Sequence, residues 1–376
     1  MANLDVLSMP DRDVLSERTG ELGLVPYWIE RDVIENPASR SRAVPFCWKW
    51  RDMYPLLESA AVTVPVEEAY RRTLLFVNPG LRPKPWMTTT IYGGYSWYNP
   101  GEAPEVHRHQ PSASRFVLSG DGGFTTVEGE KCRMLRGDLV ITPNGTWHNH
   151  GNDGKEPVIW IDVLDLPVVE LLHNSWKMDY EYFEPAASGK NPVKRPAQSI
   201  DKPADYSAKV YGTGGIKAKS IAHIRGQGHG SPMYVYRWKD TLTALDRLRE
   251  FPADPCNGIA VEYVNPLTGG PVLPTLSYEV NLFRPGEQPD FQRKTASTVF
   301  CAIQGRGVTQ MDGATISWEQ NDVFVIPSWT WYRHINIDPK QEVMLYAVSD
   351  EPTLEKLELL VHQRRTSDGT VIDLIG

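Results

Sequence analysis

The chain changes texture near residue 70. Before it, Asp13 to Leu24 and Arg51 to Ala61 carry apolar residues at helix-like spacing. That predicts a partly helical N-terminal region, with Gly20 and Gly23 weakening the first helix. From Thr73 onward the stripe gives way to short apolar runs: Thr73 to Val77, Arg115 to Leu118, Phe124 to Val127, Leu139 to Thr142 and Val158 to Asp162. Between them stand glycine-bearing breaks at Gly120-Asp-Gly-Gly123, Glu128-Gly129 and Arg136-Gly-Asp138. Many short strands with evenly spaced turn signals predict a mainly β fold, a sandwich or small barrel. Glu184 to Asp205 reads as a linker, with Pro185, Pro192, Pro196 and Pro203 among small and polar residues. Strand texture returns most clearly from Thr275 to Ser349. The stretch Thr353 to Arg364 predicts a closing helix, capped by Thr353, with Leu354, Leu357, Leu360 and Val361 on one face.

The two strand-rich blocks repeat each other. Gly101 is followed after five residues by His107-Arg-His109, and Gly137 after five by Pro143-Asn-Gly145-Thr-Trp-His148. In the second block Gly286 leads to Gln292-Arg-Lys294, and Pro327-Ser-Trp329-Thr-Trp-Tyr332 takes the place of Pro143 to His148. A repeat this long is a duplicated domain, not a solenoid. The chain divides accordingly: a partly helical arm over 1–70, a first domain over 71–184, a linker region over 185–235, and a second domain over 236–376 ending in a helix.

Composition narrows the class. The 376 residues are 41% hydrophobic and 23% charged, ordinary for a globular protein of about two domains, and the net charge is −8. An acidic chain without basic runs is a poor partner for nucleic acid or an anionic membrane. No apolar run approaches a membrane span, and Met1 to Glu17 holds no apolar core of a secretory leader. Cys47, Cys132, Cys256 and Cys301 form no C-x-x-C pair, which predicts reduced thiols and a cytoplasmic location.

The chemistry lies in histidines. His107 and His109, at i and i+2, face the same way on a strand, and His148 and His150 repeat that geometry on a later one. Neighbouring strands of this kind aim three or four imidazoles at one point, a set that suits iron, zinc, copper or nickel. Arg115 lies six residues after His109, on the same face by parity, and a core-facing arginine calls for an anion. Asp162 ends an apolar strand, where a carboxylate suits orienting an imidazole or an arginine. Of Arg71 and Arg72 only one can face inward on a strand.

These residues resemble the cupin superfamily. Gly137, Pro143, Gly145, His148 and Asn152 match every fixed position of its second motif, G-x5-P-x-G-x2-H-x3-N. The first motif matches at Gly101, His107 and His109, but Ala113 and Ser114 stand where its glutamate ligand belongs. A three-histidine ion keeps three positions open, enough for a chelating substrate and dioxygen together. Its undiminished 2+ charge favours a dianionic chelator.

The whole chain is similar to the gentisate 1,2-dioxygenase family, which includes salicylate and 1-hydroxy-2-naphthoate 1,2-dioxygenases. The resemblance spans roughly residues 25 to 350. It is carried by Asn78-Pro-Gly80, Ala103 to His109, Ser114-Arg-Phe-Val117, Arg136 to Pro143, Trp147-His-Asn-His-Gly-Asn152, Trp160-Ile-Asp162, Val264 to Gly270 and Pro327-Ser-Trp329. It implies a bicupin, two double-stranded β-helix (jelly-roll) barrels, with one Fe(2+) per chain on His107, His109 and His148. It further implies Arg71 and Arg115 as the arginines that bind the substrate carboxylate and oxygen. His150 would meet the substrate hydroxyl or oxygen, Asp162 would act from behind, and Tyr92 and Gly94 would form a wall against the ring. A glycine at 94 leaves room or lets backbone approach. The partners implied are a small aromatic acid and O2, in a homotetramer.

Gln292, Lys294 and Tyr332 replace the histidines in the second cupin, so it is expected to hold no metal; His334 stands where His150 stands. Gentisate is the favoured substrate. Gly94, where gentisate enzymes typically carry alanine, keeps open salicylate, substituted salicylates such as 5-nitrosalicylate, and 1-hydroxy-2-naphthoate. A metal-binding cupin without oxygenase activity is the reading of a different class.

Overall fold

A computed structural model describes residues 11–35, 41–69, 71–179, 182–184, 193–195, 202–214 and 230–375. The chain forms two units, Met1–Arg40 and Ser41–Gly376. The first contains helices α1 (Arg12–Glu21) and α2 (Tyr27–Ile34); the Asp11 carboxylate caps α1 by accepting from the Asp13 amide.

The second unit opens with β1 (Phe46–Trp48), α3 (Trp50–Thr63), α4 (Val66–Ala69) and β2 (Thr73–Leu75). Eight strands follow: β3 (Tyr92–Tyr98), β4 (His107–His109), β5 (Ala113–Ser119), β6 (Gly123–Val127), β7 (Glu130–Met134), β8 (Leu139–Thr142), β9 (His148–Asn152) and β10 (Val158–Leu164). Next come α5 (Leu166–Leu171), β11 (Lys177–Asp179), the paired strands β12 (Tyr182–Glu184) and β13 (Val193–Arg195), α6 (Tyr206–Tyr211), β14 (Val235–Tyr236) and α7 (Trp238–Leu248). The second set is β15 (Ile259–Glu262), β16 (Ser277–Phe283), β17 (Phe291–Lys294), β18 (Thr298–Gln304), β19 (Arg306–Met311), β20 (Ala314–Glu319), β21 (Val323–Ile326), β22 (Tyr332–Asn336) and β23 (Val343–Ser349). The chain then runs through α8 (Glu351–Lys356), β24 (His362–Arg365) and β25 (Val371–Ile375).

The sheets confirm a bicupin. Strand order β14-β8-β5-β10-β3-β2 faces β11-β4-β9-β6-β7 in the first roll; β1-β21-β18-β23-β16-β15 and β20-β19-β22-β17-β24-β25 form the second. The two rolls exchange strands. β1 precedes the first roll in sequence yet pairs with β21 of the second, and β14 precedes the second yet pairs with β8 of the first. Matching aspartates fix both crossings. Asp138 accepts from the Trp238 amide at 2.9 Å and pairs with Arg237, while Asp322 accepts from the Trp50 amide and from Lys49 Nζ at 2.8 Å each. Each roll thus completes a sheet with a strand from the other side of the division drawn along the sequence. One apolar core runs through both, with Phe116 stacked on Tyr346 at 4.0 Å.

The expected closing helix is corrected. α8 stops at Lys356, Glu358 takes φ +59°, and the chain re-enters a sheet as β24, pairing with β17. The apolar face that predicted a helix does not reach the core: Leu357 is exposed, and Leu354, Leu360 and Val361 are only half-buried. Helices α2 and α7 were not anticipated. Of the linker region 185–235, residues 185–192, 196–201 and 215–229 lie outside the described residues, and the rest includes β13, α6 and the start of β14.

Two buried carboxylates bridge the rolls. Thr275 Oγ1 donates to Asp165 Oδ2, and Thr90 Oγ1 donates to Asp350 Oδ2, both at 2.5 Å. Burial raises each carboxyl to about 6, against the hydrogen bonds that lower it. An acid raised on folding is bound to its proton longer in the folded than in the unfolded chain. Its contribution therefore falls as pH climbs from about 4 to about 6 and is flat above, by up to about 1.4 kcal/mol per pH unit for each group. Melting temperature measured across this window is expected to show a steeper decline with rising pH in the wild type than in Asp350→Asn. Parallel curves would refute the prediction.

Candidate active site

The first roll brings two histidine pairs together through strand pairing. β4 and β9 are antiparallel neighbours with His107 opposite His148, and strand alternation turns His109 and His150 to the same interior. Ring centroids are 4.5 Å apart for His107 and His148, and 4.7 Å for His109 and His148. All four side chains are buried. Burial, followed by the Arg71 guanidinium, lowers His107 to about 2 and His109 to about 3. Burial and neighbouring charge hold His148 and His150 well below the ordinary value too. The rings are neutral at pH 7, as ligands must be.

Their outer nitrogens separate them into three and one. His107 Nδ1 meets the Glu105 carbonyl at 3.0 Å, His109 Nδ1 the Pro111 carbonyl at 2.7 Å, and His148 Nδ1 the Thr146 carbonyl at 2.8 Å. A carbonyl only accepts, so each Nδ1 carries the proton and each Nε2 lone pair faces inward. His150 Nδ1 instead meets the Thr125 hydroxyl at 3.1 Å, a partner that donates or accepts and also reaches Met134 Sδ at 3.3 Å, so no carbonyl fixes which ring nitrogen carries the proton. The Nε2 atoms of His109, His148 and His150 are buried without a partner, and that of His107 meets Arg71. By distance alone the tightest group of ligand atoms is His107, His148 and His150, all within 4.8 Å. The sequence-derived set takes His109 in place of His150; the hydrogen bonding favours that set, the distances the other. Either donor set, three neutral imidazoles and no carboxylate, fits a borderline divalent ion.

The opposite sheet supplies the charge. Gly94, Asp162 and Arg115 lie in one register row across β3, β10 and β5. Arg115 is fully buried, with Nε 3.2 Å from Asp162 Oδ1 and Nη1 donating to Thr142 at 3.1 Å, while Nη2 has no partner. Burial lowers its guanidinium to about 10, opposed by Asp162, so it stays charged at neutral pH. Asp162 also accepts from Ser96 and from Trp160 Nε1, the latter at 3.0 Å. Of the two roles open for Asp162, it orients the arginine. Arg72 turns away into a bidentate pair with Glu102 at 2.8 and 2.9 Å, leaving Arg71 against His107. Tyr92 is half-buried, and its hydroxyl is raised by burial and by Asp162 while Arg71 opposes. Sequence reasoning missed Ser96, Thr125 and Thr142, small hydroxyls whose chemistry shows only once the partner strand is known.

Comparison with known proteins identifies this arrangement. Residues 95–164 match the cupin domain model. The chain is 34% identical over 369 residues to a 5-aminosalicylate 1,2-dioxygenase of Comamonas sp, covering 96% of this chain and 92% of that one. It is 33% identical to gentisate 1,2 dioxygenase 1 of Aquipseudomonas alcaligenes, covering 89% and 91%. The fold superposes on a salicylate 1,2-dioxygenase of Pseudoaminobacter salicylatoxidans, solved as an adduct with gentisate, with a TM-score of 0.85 at 30% identity over 96% and 95% of the two chains. The chain belongs to the gentisate 1,2-dioxygenase family. It is a ring-cleaving dioxygenase.

Within that family's frame the second roll of this chain carries a rebuilt centre. Lys294 Nζ donates to Glu351 at 2.5 Å, and Gln292 bridges Asn257 and His362 at 2.7 and 2.9 Å. His334 is buried, with Nδ1 on Thr309 at 2.8 Å. Among the described residues the first roll holds the one group able to bind a metal ion.

Gly94 proves to be a close-approach glycine. A Cβ there would meet the Leu74 carbonyl oxygen at 2.4 Å and Thr73 Cγ2 at 2.8 Å. Gly94→Ala must therefore push β2 away, and β2 begins two residues after Arg71. We expect KM for the aromatic acid to rise about tenfold with metal content unchanged; steady-state kinetics with metal analysis checks this, and an unaltered KM would count against it.

Proposed function

We propose that the protein is an iron(II)-dependent 1,2-dioxygenase that opens an ortho-hydroxylated aromatic acid between its carboxyl- and hydroxyl-bearing carbons, inserting both atoms of dioxygen. The observation that carries this reading is the convergence of three imidazole lone pairs, each fixed by a backbone carbonyl, beside the unpartnered Arg115 Nη2. His107, His109 and His148 would hold the ion, one per chain. Iron(II), when bound, supplies the redox chemistry that joins an aromatic ring to dioxygen.

The chain's own residues do the rest. Arg115, held by Asp162 and Thr142, offers Nη2 to the carboxylate or to oxygen bearing negative charge. Arg71 supplies a second cation at the rim. His150 offers Nε2 to the substrate hydroxyl or reduced oxygen, where it would take up or give a proton. Tyr92 flanks the ring, and the buried strands exclude water.

Gentisate is the favoured substrate, the one named for several relatives. Salicylates form the second reading, favoured by Gly94 and by the 5-aminosalicylate and salicylate enzymes among the similar proteins. The sequence division at 70, 184 and 235, a homotetramer and a cytoplasmic location belong to the same proposal. The test is oxygen uptake by anaerobically iron-loaded protein on gentisate, salicylate, 5-substituted salicylates and 1-hydroxy-2-naphthoate. Product carrying both atoms of isotopically labelled dioxygen supports the assignment. Iron binding without uptake on any acid would leave a metal-binding cupin and sink the dioxygenase reading.

A further inference from the structure

The second roll reaches the histidine site of the first through one peptide plane. The Pro111–Ser112 peptide is held at both ends: its carbonyl accepts from His109 Nδ1 at 2.7 Å, and its N–H donates to Asp165 Oδ1 at 2.8 Å. Asp165 Oδ2 in turn accepts from Thr275 Oγ1, a residue of the second roll. A carboxylate on the N–H side polarises the peptide and makes its carbonyl a stronger acceptor, and a stronger acceptor on Nδ1 makes Nε2 a better ligand. The same loop is pinned by the Asn144 amide on Ser112 Oγ at 3.2 Å and the Gly145 amide on the His109 carbonyl at 2.9 Å.

We propose that Thr275 and Asp165 are positioning residues through which the second roll sets the direction and basicity of the His109 imidazole. The inference rests on His109 being a metal ligand.

The duplication supplies a matched comparison within the molecule. Thr90, Ser297 and Asp350 form the image of this relay, with Ser297 N–H donating to Asp350 Oδ1 at 2.8 Å. Each member stands 185 positions from its counterpart. Where the first relay ends on His109, the second ends beside Lys294, whose ammonium is bound to Glu351. The two Asp–Thr contacts share chemistry, burial and a place between the rolls; they differ in whether an imidazole lies at the end.

The experiment titrates cobalt(II), whose visible spectrum reads ligand geometry, into Thr275→Val and Thr90→Val under anaerobic conditions, with melting temperatures alongside. Thr275→Val is expected to weaken cobalt(II) binding about tenfold or more and to shift the visible band. Thr275→Ser is expected to restore both. Thr90→Val is expected to lose comparable thermal stability yet bind cobalt(II) as the wild type does. Thr275→Ala, with a smaller side chain, carries the same expectation if the valine variant does not fold. The relay is overturned if the position 275 variants bind with wild-type affinity and spectrum, or if the variants at 275 and 90 weaken binding equally. A His109→Ala control separates the two levels. Full binding in that variant would remove His109 from the ligand set, whereas lost binding there with intact binding in Thr275→Val would overturn the relay alone.

Discussion

Alanine at His107, His109 or His148 is expected to empty the metal site and abolish ring cleavage, while alanine at His150 is expected to leave the metal in place. The expectation follows from the outer nitrogens. Three rings are locked by carbonyls into the tautomer that presents a lone pair, and the fourth rests on the Thr125 hydroxyl. Loss of an outer partner alone costs roughly 10–100-fold in metal affinity, and loss of the ligand itself costs more. Removing His150 should instead lower turnover by about 10²–10³-fold, the scale of one oriented donor at a developing charge. Iron per chain, counted after anaerobic loading, separates the sets. A metal-free His150→Ala beside a loaded His109→Ala would assign the third ligand to His150, in line with the distances that group it with His107 and His148.

The second large effect concerns Arg115. Arg115→Met is expected to lower kcat/KM by about 10³-fold and to destabilise the fold by about 2–3 kcal/mol, because the largely buried Asp162 would lose its cation and keep only Ser96 and Trp160 as donors. Arg115→Lys should recover stability better than activity. An ammonium can pair with Asp162, yet it lacks the planar fork that reaches Thr142 and leaves Nη2 over the site. Chemical denaturation gives the first quantity and steady-state kinetics the second. Wild-type kinetics in a destabilised Arg115→Met protein would reduce the residue to a structural ion pair.

What could be read from the sequence follows from the range of the interaction that specifies it. The His-x-His pairs were legible because strand parity is a local rule, and the duplication was legible because it repeats a motif at fixed intervals. Arg115 and Asp162 each suggested a buried charge, but that they hold one another depends on pairing between β5 and β10. The choice between Arg71 and Arg72 was out of reach, since it depends on Glu102, some thirty residues away, claiming one of them. Gly94 was read as leaving room or admitting backbone, and only the neighbouring strand decides for backbone. The closing helix failed for a similar reason. The leucine spacing that begins at Leu354 in α8 continues past the helix end, but the edge offered by β17 draws the following residues into a sheet. β1 and β14, of three and two residues, carry no periodicity of their own.

Those two short strands bear on how such a molecule arose. If each roll borrows an edge from its twin, neither is a self-sufficient ancestor; the simplest forebear is a pair of identical single-roll chains that clasped arms, later joined by gene fusion. The same reasoning predicts what a split gene would do. Halves expressed separately from a break ahead of β14 would each lack a strand that only the other can give, and would be recovered as an obligate heterodimer, not as two independent proteins.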